Sequence, residues 1–90
     1  MRILIVVKKK NEKQFIVKVE EEGTAKDYSV TLYDDYYQKL TGGRITKEEL
    51  IRKSFKFLLK REPRDSILSK FNLKIISNYF PEYEKVIKSK

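Results

Sequence analysis

The sequence of 90 residues contains no cysteine, no histidine and no tryptophan. Without cysteine the chain forms no disulfide and has no thiolate nucleophile; without histidine it lacks the side chain that most often serves as a general base. The carboxylates that remain stand next to one another, as in Asp34 with Asp35 and Glu20 to Glu22, with no partner base and no metal-binding spacing. We therefore expect no catalytic residue, metal or cofactor, and no small-molecule substrate is evident.

Long apolar runs are also missing. The first apolar run, Ile3 to Val7, is shorter than the ~7–15 residues of a signal-peptide core and far shorter than the ~20 residues that span a bilayer. Three lysines follow it directly. We expect a cytoplasmic protein without a membrane partner. Because the chain has only three glycines and two prolines, no linker stands out, and we expect one domain over residues 1–90, with 88–90 frayed.

Positive charge is in excess, with 21 Lys and Arg against 13 Asp and Glu and a net charge of +8. A basic surface attracts polyanions such as DNA or RNA. Charged residues make up 38% of the chain, however, and a composition rich in Lys and Glu is also typical of a solvated surface from a heat-adapted organism. Charge alone therefore leaves nucleic-acid binding and plain solvation both open.

The segment from Ile45 to Pro63 is predicted to be the helix around which the other elements fold. Thr46 followed three residues later by Glu49 is the pattern of a capping box, and Pro63 ends the helix. Its apolar residues recur at helical spacing, so one stripe can face a core: Leu50, Ile51, Phe55, Leu58 and Leu59.

The opposite side of this predicted helix is basic. Residues 44–64 hold eight cations against three carboxylates, and these eight are the candidate contacts to nucleic-acid phosphates: Arg44, Lys47, Arg52, Lys53, Lys56, Lys60, Arg61 and Arg64. Glu48 and Glu49 stand four residues before Arg52 and Lys53, a spacing that also allows ion pairs within the helix. A solvated helix face would give the same pattern.

Alternation of apolar and polar residues predicts three strands, at about 2–9, 14–22 and 28–33. Short connections between them favour an antiparallel meander. A short helix over 35–40 and two or three further helices would then pack on one sheet face, which gives an α+β fold. Residues 65–80 keep helical spacing around Asn72, and the pattern leaves open whether they form one helix or two, 65–71 and 73–79, with Asn72 capping the second.

Residues 28–61, YSVTLYDDYYQKLTGGRITKEELIRKSFKFLLKR, resemble the ribbon-helix-helix regulators, in which a strand precedes two helices. Paired strands of a dimer enter the major groove in that family. The resemblance therefore implies base contacts from Ser29, Thr31 and Tyr33 and phosphate contact near Thr46. It also implies a homodimer, which a chain of this length would favour for stability.

The segments LTGG, KSFKFLLKREP, SILSKF and NYFPEYE resemble small uncharacterised prokaryotic proteins, and that likeness attaches no function. The sequence favours a small, basic, non-enzymatic module that binds nucleic acid or has a regulatory role. The alternative is a protein-interaction or dimerisation domain whose positive charge is only surface solvation.

Overall fold

The structure is a computed structural model, and it describes residues 3–88. Over these residues the chain forms four strands and four α-helices, with single 3₁₀ turns at Arg64–Ser66 and Leu73–Ile75. In chain order they are β1 (Ile3–Lys9), β2 (Gln14–Glu21), β3 (Thr24–Thr31), α1 (Asp34–Thr41), α2 (Lys47–Leu59), β4 (Lys70–Asn72), α3 (Ile76–Tyr79) and α4 (Tyr83–Lys88). Arg2 of the predicted first strand, and Ser89 and Lys90 of the predicted frayed end, lie outside the described residues.

The strands form one mixed sheet in the order β1, β2, β3, β4. β1 pairs antiparallel with β2, and β2 antiparallel with β3, so the predicted meander and the α+β class are confirmed. The turn between β2 and β3 consists of Glu22 and Gly23, with φ of 51° and 83°. Two positive φ values match the right-handed twist of the flanking strands. Because this turn is so short, β3 begins at Thr24, four residues earlier than predicted.

The helix predicted within residues 65–71 is wrong, because the chain there makes one 3₁₀ turn and then adds β4, parallel to β3. Ile67 and Phe71 are four residues apart, as on a helix, yet both enter the core from extended backbone. The amide of Ser29 donates to the carbonyl of Ser69 at 2.7 Å. Pairing with β3 thus satisfies backbone groups that a helix would satisfy internally. The predicted cap is confirmed, since the Asn72 side chain accepts from the amide of Lys74.

The central helix α2 crosses one face of the sheet. At its start, Thr46 and Glu49 form the predicted capping box. Near its middle Phe55 is fully buried, with its ring centroid 5.2 Å from that of Tyr28 on β3 and 6.0 Å from that of Phe71 on β4. These aromatic contacts attach α2 to β3 and β4. Among the helices of residues 3–88, none has the length and apolar character needed to cross a membrane.

Candidate nucleic-acid interface

The solvent side of α2 carries a line of cations. Arg52, Lys56 and Lys60 follow one another at four-residue spacing, which on a helix gives one row with a rise of about 6 Å per step. Lys53 stands beside that row. All are exposed except Lys53, which is half-buried. We call these four residues the basic ridge.

Within the described residues, the ridge side chains form no ion pair. Across residues 3–88, no ion pair includes Arg52, Lys53, Lys56 or Lys60. The pairs with Glu48 and Glu49 that the spacing allowed are not formed, and the Glu49 carboxylate instead lies 3.3 Å from the amide of Thr46 in the capping box. The full charge of the ridge is therefore available to a ligand.

Two other cations of the predicted site, Lys47 and Arg64, form contacts within the folded chain. Lys47 is only 18% exposed, lies 3.4 Å from a carboxylate oxygen of Asp34 and donates to the carbonyl of Glu12. Arg64 donates to the carbonyls of Val19 and Thr24, at 3.2 and 2.9 Å. Such bonds tie α2 and the segment after it to the sheet, so neither residue joins the ridge.

Arg44 and Arg61 stand apart from the ridge in different ways. Arg44 is exposed in the turn after α1, where its Nε donates to the carbonyl of Thr41 at 3.2 Å. Arg61 lies just past the carboxyl end of α2, close to Lys60. The structure thus divides the eight predicted residues into a ridge of four, one neighbour, one outlying arginine and two residues of the framework.

A groove of about 380 Å³ runs between α2 and α4, beside the ridge. Three ridge lysines line it together with apolar residues and Arg61; the lining is Lys53, Lys56, Phe57, Lys60, Arg61, Val86 and Ile87. Phe57 is 5% exposed, whereas Val86 is 42% exposed. The α2–α4 groove therefore sets apolar surface next to unpaired positive charge.

Arg61 is held in a fixed position at this groove. Its guanidinium carbon lies 3.6 Å from the centroid of the Phe57 ring. Nη1 donates to the carbonyl of Phe57 at 3.1 Å, and Nε lies 3.3 Å from a carboxylate oxygen of Glu82. The sequence pattern predicted Arg61 as a phosphate contact and did not predict that Phe57 and α4 hold it in place. The signal was the four-residue spacing of Phe57 and Arg61, which brings the two side chains together on a helix.

Two buried tyrosines, Tyr83 of α4 and Tyr36, which donates to Glu84 of α4, add no negative charge. Burial raises the pKa of Tyr83 above its usual 10.0, although the hydrogen bond with Ser54 opposes that shift. Burial also raises the pKa of Tyr36, and the hydrogen bond to Glu84 acts in the same direction. Both phenols are neutral at neutral pH, so the positive potential of the ridge is not reduced by them.

The residues that the ribbon-helix-helix resemblance singled out lie elsewhere. Ser29 and Thr31 are half-buried on β3, which pairs with β2 on one side and β4 on the other. Tyr33 is exposed just before α1, and Thr46 is the N-cap of α2. Nothing in their surroundings tests the resemblance, which stays a prediction.

Comparisons with protein-family models, with curated proteins and with solved structures found no match. Within the described part of the chain, no group of three or more carboxylates is placed to hold a metal ion. The ridge and the groove are therefore the features from which we infer a function.

Proposed function

We propose that the protein is a small, non-enzymatic module that binds nucleic acid through the basic ridge and the adjoining α2–α4 groove. One observation carries the proposal: four neighbouring cations, three on α2 and one at its C-cap, have no ion-pair partner within residues 3–88. Lys47 and Arg64, which flank them in sequence, are bonded into the fold. Within residues 3–88, four adjacent cations without an ion pair thus lie along one helix.

Free cations suit phosphates for a thermodynamic reason. A cation without a protein partner breaks no ion pair when it meets a phosphate, and each phosphate it neutralises releases condensed counterions. Three of the four ridge residues are lysines, which act as point charges and bind phosphates without the planar geometry that reads a base edge. Binding through the ridge is therefore expected to depend steeply on salt and weakly on sequence.

Fluorescence polarisation with labelled single-stranded DNA, duplex DNA and RNA tests the proposal. We expect micromolar binding at low salt that weakens steeply as salt rises. The variant R52Q/K53Q/K56Q/K60Q should lose most of this affinity. The plot of log K against log salt should also become less steep, by up to about 3, since each phosphate contact accounts for roughly 0.7–0.9 of the slope.

A matched control separates the ridge from net charge. K8Q/K10Q/K18Q/K70Q removes the same charge from exposed lysines of the sheet and its first turn that also lack ion pairs in the described chain. We expect this control to keep most of the affinity. Equal losses in the two variants would assign the binding to net charge, and no binding at low salt would end the proposal.

Self-association is the second candidate, and the edge of the sheet favours it. β1 is an outer strand with β2 as its one neighbour in the sheet, and Ile3 and Leu4 on it are 41% and 55% exposed. A second copy pairing antiparallel with β1 would bury these side chains and extend the sheet. Sedimentation velocity should then show a dimer that Leu4→Lys dissociates. A monomer up to high concentration excludes this candidate.

A further inference from the structure

We infer that the preferred nucleic acid is single-stranded, with one unpaired base stacked on the outer face of the Arg61 guanidinium while neighbouring phosphates lie along the ridge lysines. This inference rests on the proposed function and deepens it. It names the form of nucleic acid and gives Arg61 a role different from that of the ridge.

Arg61 is built as a stacking surface. The Phe57 ring covers one face of the guanidinium at 3.6 Å, and bonds to the Phe57 carbonyl and to Glu82 restrain its plane. Its side chain is still 31% exposed. An arginine normally loses much rotamer freedom when it binds a ligand, but this one is already ordered by its own protein. A planar guanidinium of this kind is a recognised platform for unpaired bases.

Charge balance distinguishes Arg61 from the ridge. The Glu82 carboxylate lies 3.3 Å from Nε of Arg61 and compensates much of its charge, whereas the ridge lysines have no such partner in residues 3–88. Arg61 is therefore expected to contribute to affinity through its plane more than through its charge. The ridge is expected to do the reverse.

The groove accepts a base but not a duplex. Its volume of about 380 Å³ falls in the ~300–1,000 Å³ range of small-ligand pockets. Phe57, Val86 and Ile87 provide apolar lining beside the lysines. A duplex keeps its base faces stacked inside and would offer this lining only sugar and phosphate, while a single strand can place a base there and phosphates on the ridge.

The test compares three probes on the full chain: a ten-residue deoxythymidine oligonucleotide, an abasic sugar–phosphate chain of the same length, and a duplex. The wild type should bind the oligonucleotide more tightly than the abasic chain or the duplex. Arg61→Lys keeps the charge and removes the plane. It should weaken oligonucleotide binding about fivefold or more and leave abasic binding and the salt slope unchanged.

Other results overturn the inference. Wild-type affinity of Arg61→Lys for the oligonucleotide, or equal binding of oligonucleotide and abasic chain by the wild type, would remove Arg61 as a stacking platform while leaving the proposed function intact. The wild-type comparison holds even if the variant folds poorly, which its thermal midpoint reports. If none of the three probes binds at low salt, the proposed function itself fails.

Discussion

The hydroxyl oxygens of Tyr83 and Ser54 lie 2.6 Å apart in the core, and both side chains are almost completely buried. Ser54 Oγ also lies 2.8 Å from the carbonyl of Leu50, to which it donates its proton. The Tyr83 hydroxyl is consequently the donor to Ser54. This bond joins α4 to α2, the two helices whose residues line the groove.

The two partners are expected to differ in what their removal costs. Ser54→Ala leaves the buried Tyr83 hydroxyl without an acceptor and should lower the free energy of unfolding by about 2 kcal/mol. Tyr83→Phe leaves Ser54 bonded to Leu50 and should cost about 1 kcal/mol. Urea denaturation of both variants measures the difference. A larger loss for Tyr83→Phe would contradict the donor assignment.

Phe55 is expected to be the most important single side chain of α2. It is fully buried and contacts rings from β3 and β4, so Phe55→Ala should destabilise the protein by about 3–5 kcal/mol. The exposed Tyr79 is the control, and Tyr79→Ala should change stability by less than about 0.5 kcal/mol. Similar melting curves for the two variants would show that the central helix does not organise the core.

Arg64 should behave as a structural residue although the sequence pattern places it with the basic site. Its guanidinium donates to the carbonyls of Val19 and Thr24 and lies 3.8 Å from Glu21. Arg64→Gln leaves these acceptors without their donor and should cost about 2 kcal/mol of stability. Arg52→Gln on the ridge should cost less than about 0.5 kcal/mol. Chemical denaturation distinguishes them, and equal effects would mean that Arg64 does not clamp the sheet.

Alkaline pH should destabilise the fold through its buried tyrosines. Tyr36 and Tyr83 have pKa values raised above the usual 10.0. Above pH 10 the unfolded chain loses these protons while the folded chain keeps them. Stability is therefore fully present below about pH 10 and falls as pH rises, by about 1.4 kcal/mol per pH unit for each tyrosine.

Tyr36→Phe isolates the contribution of Tyr36 to this loss of stability. Lysines also titrate at alkaline pH, but the variant and the wild type contain the same lysines. The free energy of unfolding, measured in urea from about pH 9 to pH 11, should fall less steeply for this variant than for the wild type. Identical slopes would show that Tyr36 titrates alike in the folded and unfolded chain.

In residues 65–72 the apolar pattern did not predict the structure, which is a 3₁₀ turn followed by β4. Ile67 and Phe71 are spaced as on a helix, and the pattern of apolar residues alone favoured one. The competing strand depends on β3, about 40 residues earlier, which offers Ser29 and Thr31 as backbone partners. Such a pairing leaves no mark within the segment itself, so β4 could not be predicted from it.

The sequence was enough to predict α2, its capping box, its basic face and most of its buried stripe, because these features depend on residues no more than four positions apart. The stripe omitted Phe57, which is buried, and included Leu59, which is only half-buried. Which cations form ion pairs within residues 3–88 depends on tertiary contacts. Lys47 and Arg64 find partners at Glu12 and Thr24, 35 and 40 residues away along the chain. The α2–α4 groove likewise lies between two helices that the bond of Tyr83 with Ser54 joins across 29 residues. Contacts over such separations depend on how the elements pack, which local periodicity does not encode.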